Sequence, residues 1–150
     1  MLAARYEWLL DQAEAALAQS DSGAAFEAFV HELADFQARH RALAETMATA
    51  IDLPSSAEPT RQALRRAISR LLTNAQAAGA IRDDVGPADV TMLFSGVAHA
   101  TAIAGDLQPM LRTRHLAIIL DGLRPHASTT LPGKAIDFAQ LDRVKKRRKP

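Results

Sequence analysis

The chain has 150 residues, enough for one domain with a substantial buried core. Nearly half of the residues are apolar, few are aromatic and alanine is frequent, which favours helices over strands. The lack of cysteine excludes disulfides and thiolate metal sites, and no apolar stretch is long enough to span a membrane. Glu7, Asp11 and Glu14 interrupt the apolar run that a signal peptide needs, so we expect a cytoplasmic protein.

The formal charge of +1 conceals an uneven distribution of charge. Residues 143–150, RVKKRRKP, hold six of the 18 basic residues and no acid, so residues 1–142 carry 12 basic and 17 acidic side chains. A body with a net charge of −5 does not attract a phosphate backbone over a broad surface. Any nucleic-acid contact would use the tail, through Lys145, Lys146, Arg147, Arg148 and Lys149. A solvated tail that aids solubility is the simpler interpretation.

Apolar residues at helical spacing predict a first helix over residues 2–19 and a second from about residue 24 to about residue 50. Ser20, Asp21 or Ser22 is placed to cap the second helix, which is long enough for a kink near residues 37–41. Trp8 lies away from the apolar stripe of the first helix. It either forms a contact surface or partly covers a neighbouring helix.

A proline- and serine-rich loop is predicted over residues 51–59, followed by a third helix over residues 60–78. The helix carries four arginines at the spacing of a solvated outer face; they are Arg61, Arg65, Arg66 and Arg70. Gly79 follows at the position where a helix end prefers the left-handed conformation.

The next helix is predicted to begin with Gly86 as N-cap, Pro87 at the first helical position and Asp89 in the first turn. Val85 and Val90 are spaced as a hydrophobic staple across that start. We predict this fourth helix over residues 87–104.

A fifth helix is predicted over residues 109–123, and its apolar face is so wide that one side is expected to contact a second subunit. The rest of the chain is rich in proline, threonine and then basic residues, and is predicted to be disordered. The sequence thus predicts an all-α bundle of five to six helices in residues 1–125, with a tail over residues 126–150.

No pattern of catalytic residues stands out in the sequence. It lacks a phosphate-binding glycine loop, a nucleophile elbow and an H-E-x-x-H motif, and its five histidines are scattered. We therefore predict neither enzymatic activity nor a cofactor nor a metal site.

Aromatic and histidine side chains on the apolar stripes are the candidates for a ligand pocket. The same residues fit an ordinary core in which buried histidines bond to backbone carbonyl oxygens. A pocket lined by them would suit a hydrophobic or aromatic small molecule. The candidate residues are Phe26, Phe29, Phe36, His40, Met47, Phe94 and His99.

Two stretches, LLTNAQAAGAIRDDVGPADVTMLFSGVAHA and RTRHLAIILDGLRP, resemble the last three helices of the C-terminal domain of TetR-family transcriptional repressors, most closely the SbtR-like subgroup. In that pattern the third helix from the end closes with A-Q-x-A-G, an extended x-R-x-D-V follows, and a proline and an acid open the next helix. The matching residues are Gln76, Ala78, Gly79, Arg82, Asp84, Val85, Pro87 and Asp89, then Leu120, Asp121, Gly122, Leu123, Arg124 and Pro125.

The resemblance implies a homodimer in which the last two helices pair with their copies as a four-helix bundle. It also implies that the earlier helices enclose a pocket for a small-molecule effector. A symmetric interface needs a self-complementary apolar patch. The candidate interface residues are Val97, Thr101, Leu111, His115, Ile118 and Ile119.

The sequence departs from the family pattern at its start. Repressors of this family begin with a three-helix DNA-binding domain, whereas residues 1–17 resemble the helix that follows such a domain. The resemblance therefore implies DNA binding only through a domain that this chain does not contain. An alternative from another class is a helical adaptor whose basic tail contacts nucleic acid or an anionic surface.

Overall fold

The computed structural model describes residues 2–40, 55–125 and 129–147. All of the regular structure in these ranges is helical, which confirms the predicted all-α class. We number the helices α1 (Leu2–Leu17), α2 (Ser22–Arg39), α3 (Glu58–Ala77), α4 (Pro87–Thr101), α5 (Gln108–Gly122) and α6 (Phe138–Lys146). Within the described residues, no helix is both long and apolar enough to cross a membrane.

The first two helices follow the predicted pattern at their starts and differ at their ends. Among the three possible caps of α2, Asp21 is the one used, since its carboxylate accepts a hydrogen bond from the Ala24 amide at 3.0 Å. The helix ends at Arg39, where the His40 amide donates to the Phe36 carbonyl oxygen. The predicted continuation over residues 41–50 lies outside the described residues.

Helix α3 ends as the sequence predicts. Gly79 has a φ of +73°, the Ala80 amide donates to the Ala75 carbonyl oxygen, and the Gly79 amide donates to that of Gln76. These two bonds form a Schellman motif, which satisfies carbonyl groups that the helix itself leaves free. The buried Ile81 then brings the chain back onto the core.

The start of α4 also matches its prediction. The Gly86 amide donates to the Asp89 carboxylate at 2.9 Å, Pro87 occupies the first turn, and Val85 and Val90 are both buried. Gly86 is needed for a second reason, because a Cβ atom there would lie 2.9 Å from the carbonyl oxygen of Ile136.

The core lies among α1, α2, α3 and α4. Helix α1 packs most extensively on α3 and also on α2, while α2 contacts α4, and α4 packs on α5. The apolar stripe of α1 faces this core through Tyr6, Leu9, Ala13 and Ala16. Helix α5 contributes less, chiefly through Leu116 and Leu120.

The expectation of a disordered C-terminal tail is corrected for residues 138–146, which form α6. Its Asp142 carboxylate accepts two hydrogen bonds from the Arg65 guanidinium, at 2.7 and 3.1 Å. The same guanidinium lies over the Phe138 ring, 4.5 Å from its centroid. These contacts hold a short helix that its own sequence would not stabilise.

Candidate functional site

The phenylalanines proposed as pocket residues lie in the core between the helices. Phe26, Phe29 and Phe36 on α2 and Phe94 on α4 are all buried in one apolar cluster. His99, by contrast, is exposed on α4, and this corrects its assignment to the pocket. Met47 lies outside the described residues.

An aromatic stack closes the end of this cluster where α1 begins and α2 ends. The ring of Trp8 stacks on Phe36 with centroids 5.4 Å apart, and the His40 ring lies 4.6 Å from Phe36 on a tilted plane. Trp8 is 38% exposed and packs on α2, which agrees with the interpretation that it partly covers a neighbouring helix. Burial, followed by the charges of Arg5 and Arg39, lowers the pKa of His40.

A polar cluster that the sequence did not predict lies between α1, α3 and α6. Arg61 and Arg65 are both buried, whereas the sequence assigned them to a solvated face along with Arg66 and Arg70, which are exposed. Nη1 of Arg61 donates to both carboxylate oxygens of Glu58 at 3.0 Å, and Nη2 lies 3.8 Å from the Asp142 carboxylate. The i, i+4 spacing of Arg61 and Arg65 indicates that they share one face of α3. It does not indicate that α6 covers this face.

Tyr6 projects into the core from α1 near these charges. Burial raises the pKa of Tyr6 to about 12, against the opposing effect of the Arg61 and Arg65 charges. The phenol is therefore a neutral hydrogen-bond donor at physiological pH. Its oxygen has no hydrogen-bond partner among the residues that the structure describes.

One buried amide links α2 to α4. The Gln37 Nε2 group donates to the Ser95 hydroxyl at 2.8 Å, while the amide oxygen is buried without a partner in the described part of the chain. Gln37 is 1% exposed. A buried amide at a helix contact is easily overlooked in a sequence, because glutamine is common on solvated faces as well.

The outward side of α4 and α5 carries an exposed apolar stripe. It consists of large, exposed apolar side chains on both helices and in the turn between them: Met92, Leu93, Ile103, Leu107, Met110 and Ile118. Gly96 lies on this face with open space around it, so another helix can approach closely. Of the proposed interface residues, only Ile118 is strongly exposed, at 61%.

The remaining interface candidates lie deeper. Leu111, His115 and Ile119 are half-buried beside the stripe. Val97 and Thr101 are buried within the protomer, which corrects their assignment to the dimer interface. The Thr101 hydroxyl donates to the Val97 carbonyl oxygen at 2.8 Å. The helical period places Met92 and Gly96 on the outward face of α4 instead, and the exposed Ile103 follows just after the helix ends.

The sequence model of the family described as "Transcriptional regulator SbtR-like, C-terminal domain" matches residues 21–125, well over half of the chain. The chain belongs to this family of TetR-like regulators. As a TetR-type C-terminal domain, the SbtR-like domain is a regulatory, ligand-binding domain of a family that is generally non-enzymatic.

A solved structure supports the same assignment. The TetR transcriptional regulator SCO0520 from Streptomyces coelicolor is similar with a TM-score of 0.65 and 27% sequence identity. The match covers 82% of this chain and 70% of that one. The search of curated proteins found no match to this chain.

The residues that carry the family resemblance hold the chain in place between α3 and α4. The Gln76 amide donates to the carbonyl oxygens of Arg82 and Val85, and the Arg82 guanidinium forms two bonds to the Asp84 carboxylate at 2.6 and 2.9 Å. The hydrogen bond and the charge of Arg82 hold the pKa of Asp84 below its ordinary value. These contacts fix the path from α3 to α4.

A surface pocket of about 330 Å³ lies beside this motif, lined by Gln76, Gly79, Ile81, Arg82, Asp83, Asp84, Pro125, Thr129 and Thr130. Gln76, Arg82 and Asp84 in this lining already have partners, since Arg82 also donates to the carbonyl oxygens of Gly122 and Thr129. A ligand there would compete with intramolecular bonds. The pocket is therefore a weaker candidate for effector binding than the core between α1, α2, α3 and α4.

The basic residues of the tail are only partly described. Lys146 and Arg147 are exposed at the end of α6. Lys145 lies within α6, and Arg148 and Lys149 lie outside the described residues. In the described part of the chain, no group of three or more histidine and acidic side chains could hold a metal ion.

Proposed function

We propose that this domain acts as a homodimer in a TetR-like transcriptional repressor, binding a small, mostly apolar effector in the core between α1, α2, α3 and α4. The observation that carries the proposal is the exposed apolar stripe of α4 and α5. Six large apolar side chains exposed on α4, on α5 and in the turn between them would be unfavourable in a monomer and favour burial against a second copy. The partner surface is then the same stripe, as two-fold symmetry requires.

The effector and the dimer are coupled through α4 in this proposal. Helix α4 carries the buried Phe94 and the half-buried Ser95 toward α2 and the stripe residues toward the partner subunit. An effector that binds two arrangements of α4 with different affinities shifts the balance between them. The DNA-binding domains of the full regulator would then change their spacing and release the operator.

Sedimentation equilibrium of the purified chain tests the dimer. We expect a dimer at micromolar concentrations, and Ile118→Asp should convert it to a monomer, because burying an unpaired carboxylate in an apolar interface is unfavourable. Val144→Asp is the matched control, since Val144 is a 57% exposed apolar residue on α6, a helix that contributes no residue to the stripe. A wild-type chain that stays monomeric at high micromolar concentration would contradict the proposal.

A further inference from the structure

Three buried polar atoms from three different helices are left without hydrogen-bond partners in the described part of the chain. They are the Tyr6 hydroxyl on α1, the amide oxygen of Gln37 on α2 and Nη2 of Arg61 on α3. Their residues are 0%, 1% and 5% exposed. Nη2 of Arg61 has only the Asp142 carboxylate nearby, at 3.8 Å, beyond hydrogen-bond distance. Most buried polar groups in folded proteins have hydrogen-bond partners, so three that lack them indicate a group that completes them.

These three atoms lie at the same end of the domain. The Trp8–Phe36 stack joins the first turns of α1 to the last turns of α2, which places the turns of Tyr6 and Gln37 at the same level. Helix α1 packs on α3 and on residues 55–57 directly before it, so the start of α3 is also adjacent. The apolar cluster containing Phe26, Phe29 and Phe94 continues from this end into the core.

Charge at this end decides the kind of ligand group. The cations Arg61 and Arg65 lie beside the carboxylates of Glu58 and Asp142, so their charges balance within the protein. A ligand carboxylate would bring an additional buried charge, which is costly without a further cation. A neutral group is favoured instead.

Hydrogen bonding narrows the choice further. Tyr6 and Arg61 offer donors, whereas the Gln37 amide oxygen is an acceptor. A hydroxyl group both accepts and donates, so one such group can satisfy atoms of both kinds. We propose that Tyr6, Gln37 and Arg61 form the polar end of the effector site and select a neutral, mostly apolar molecule with a hydroxyl group at one end. This inference rests on the effector site of the proposed function.

Three probes with the same apolar body test the selection: 1-octanol, octyl methyl ether and octanoate. Binding is followed by the fluorescence of Trp8, the single tryptophan, which stacks at this end of the core. We expect octanol to bind about tenfold more tightly than the ether, which cannot donate, and than the ionised octanoate, because a site built for a hydroxyl rejects analogues that lack it.

Variants assign the selectivity to the named atoms. Tyr6→Phe and Gln37→Leu should bring the octanol-to-ether ratio close to one. The melting temperature of Tyr6→Phe without probe should be equal to or above that of the wild type, because an unsatisfied buried hydroxyl has been removed. Gln37→Leu also removes the hydrogen bond to Ser95, so its melting temperature is not used to separate the roles. Ser69→Ala is the control, since it removes a hydroxyl on α3 that is already bonded to the Arg65 carbonyl oxygen; it should leave the ratio unchanged.

Other outcomes overturn the inference in distinguishable ways. Equal affinities for the three probes, tighter binding of octanoate, or a ratio that persists in both variants would exclude hydroxyl selection while leaving an apolar site intact. A lower melting temperature of Tyr6→Phe together with a ratio that persists in both variants would show a purely structural role. Failure of all three probes to bind would count against the effector site itself.

Discussion

Glu58 illustrates, at the scale of single residues, how one carboxylate is tuned by its helix. Burial alone would raise its pKa, but a hydrogen bond from Gln62 at 2.6 Å and the charge and hydrogen bonds of Arg61 outweigh burial. The pKa of Glu58 is therefore lowered from its ordinary value of 4.5. A lowered pKa means that the folded state favours the charged form more than the unfolded state does.

The stability that Glu58 contributes should consequently depend on pH. It is fully present above the ordinary pKa of 4.5 and is lost as the pH falls through the lowered value in the folded state. We expect Glu58→Gln to reduce the free energy of unfolding at pH 7 and to have a smaller effect in stronger acid. Urea unfolding across this range measures the difference. Glu14→Gln, at an exposed position of α1, is the control, and a gap that widens toward low pH would contradict the assignment.

At the scale of elements, the ends of helices were easier to predict from the sequence than the packing of one helix over another. Gly79, Gly86 and Asp89 act through bonds that span at most five residues, so local spacing is sufficient to predict them. The contact of Arg65 with Asp142 joins residues 77 positions apart, and nothing in either segment specifies the other. For this reason the sequence predicted the fold class and most helix ends, but not α6 or the buried arginines.

In the candidate site, too, local features could be predicted from the sequence and long-range contacts could not. The stripe of α2 predicted correctly that Phe26, Phe29 and Phe36 face inward, since a helical period is a local property. The unpaired atoms of Tyr6 and Gln37 depend on what three other helices bring near them. No sequence pattern of a single helix contains that information.

Docking of α6 should depend on the Asp142 carboxylate. Asp142→Ala leaves the Arg65 guanidinium, with a side chain only 11% exposed, without its two hydrogen bonds. We expect the free energy of unfolding to fall by about 1–3 kcal/mol and proteolysis between α5 and α6 to become faster. Asp121→Ala is the control, because its pair with Arg124 spans 3.8 Å at the surface and should contribute about 0–1 kcal/mol. Equal effects of the two changes would show that α6 docks by other contacts.

At the scale of the whole molecule, the proposed dimer joins an acidic body through an apolar stripe. Like-charged surfaces repel weakly at physiological salt, so association would depend on burial of the stripe rather than on charge. The stripe contains two methionines, Met92 and Met110, whose flexible side chains adapt to an opposing surface. A dimer of this kind couples folding to protein concentration.

The melting temperature should therefore rise with protein concentration. We expect an increase of about 2–4 °C for each tenfold increase, because association stabilises only the folded state. Met92→Asp tests the α4 side of the stripe and should make the melting temperature nearly independent of concentration. Val144→Asp should retain the wild-type dependence, and a wild-type melting temperature that does not change with concentration would argue against a dimer.

The hydrogen bonds of Arg82 have a mechanical consequence for α4 and α5. Its backbone amide donates to the Leu123 carbonyl oxygen at 2.8 Å, which ties the segment entering α4 to the end of α5, while residues 102–107 join the two helices at their opposite ends. The helices are thus connected at both ends, and neither can slide along the other without breaking that bond. A displacement of α3 would therefore rotate α4 and α5 together as a single body. Over the roughly 22 Å length of a 15-residue helix, a rotation of about 10° moves the far end by about 4 Å.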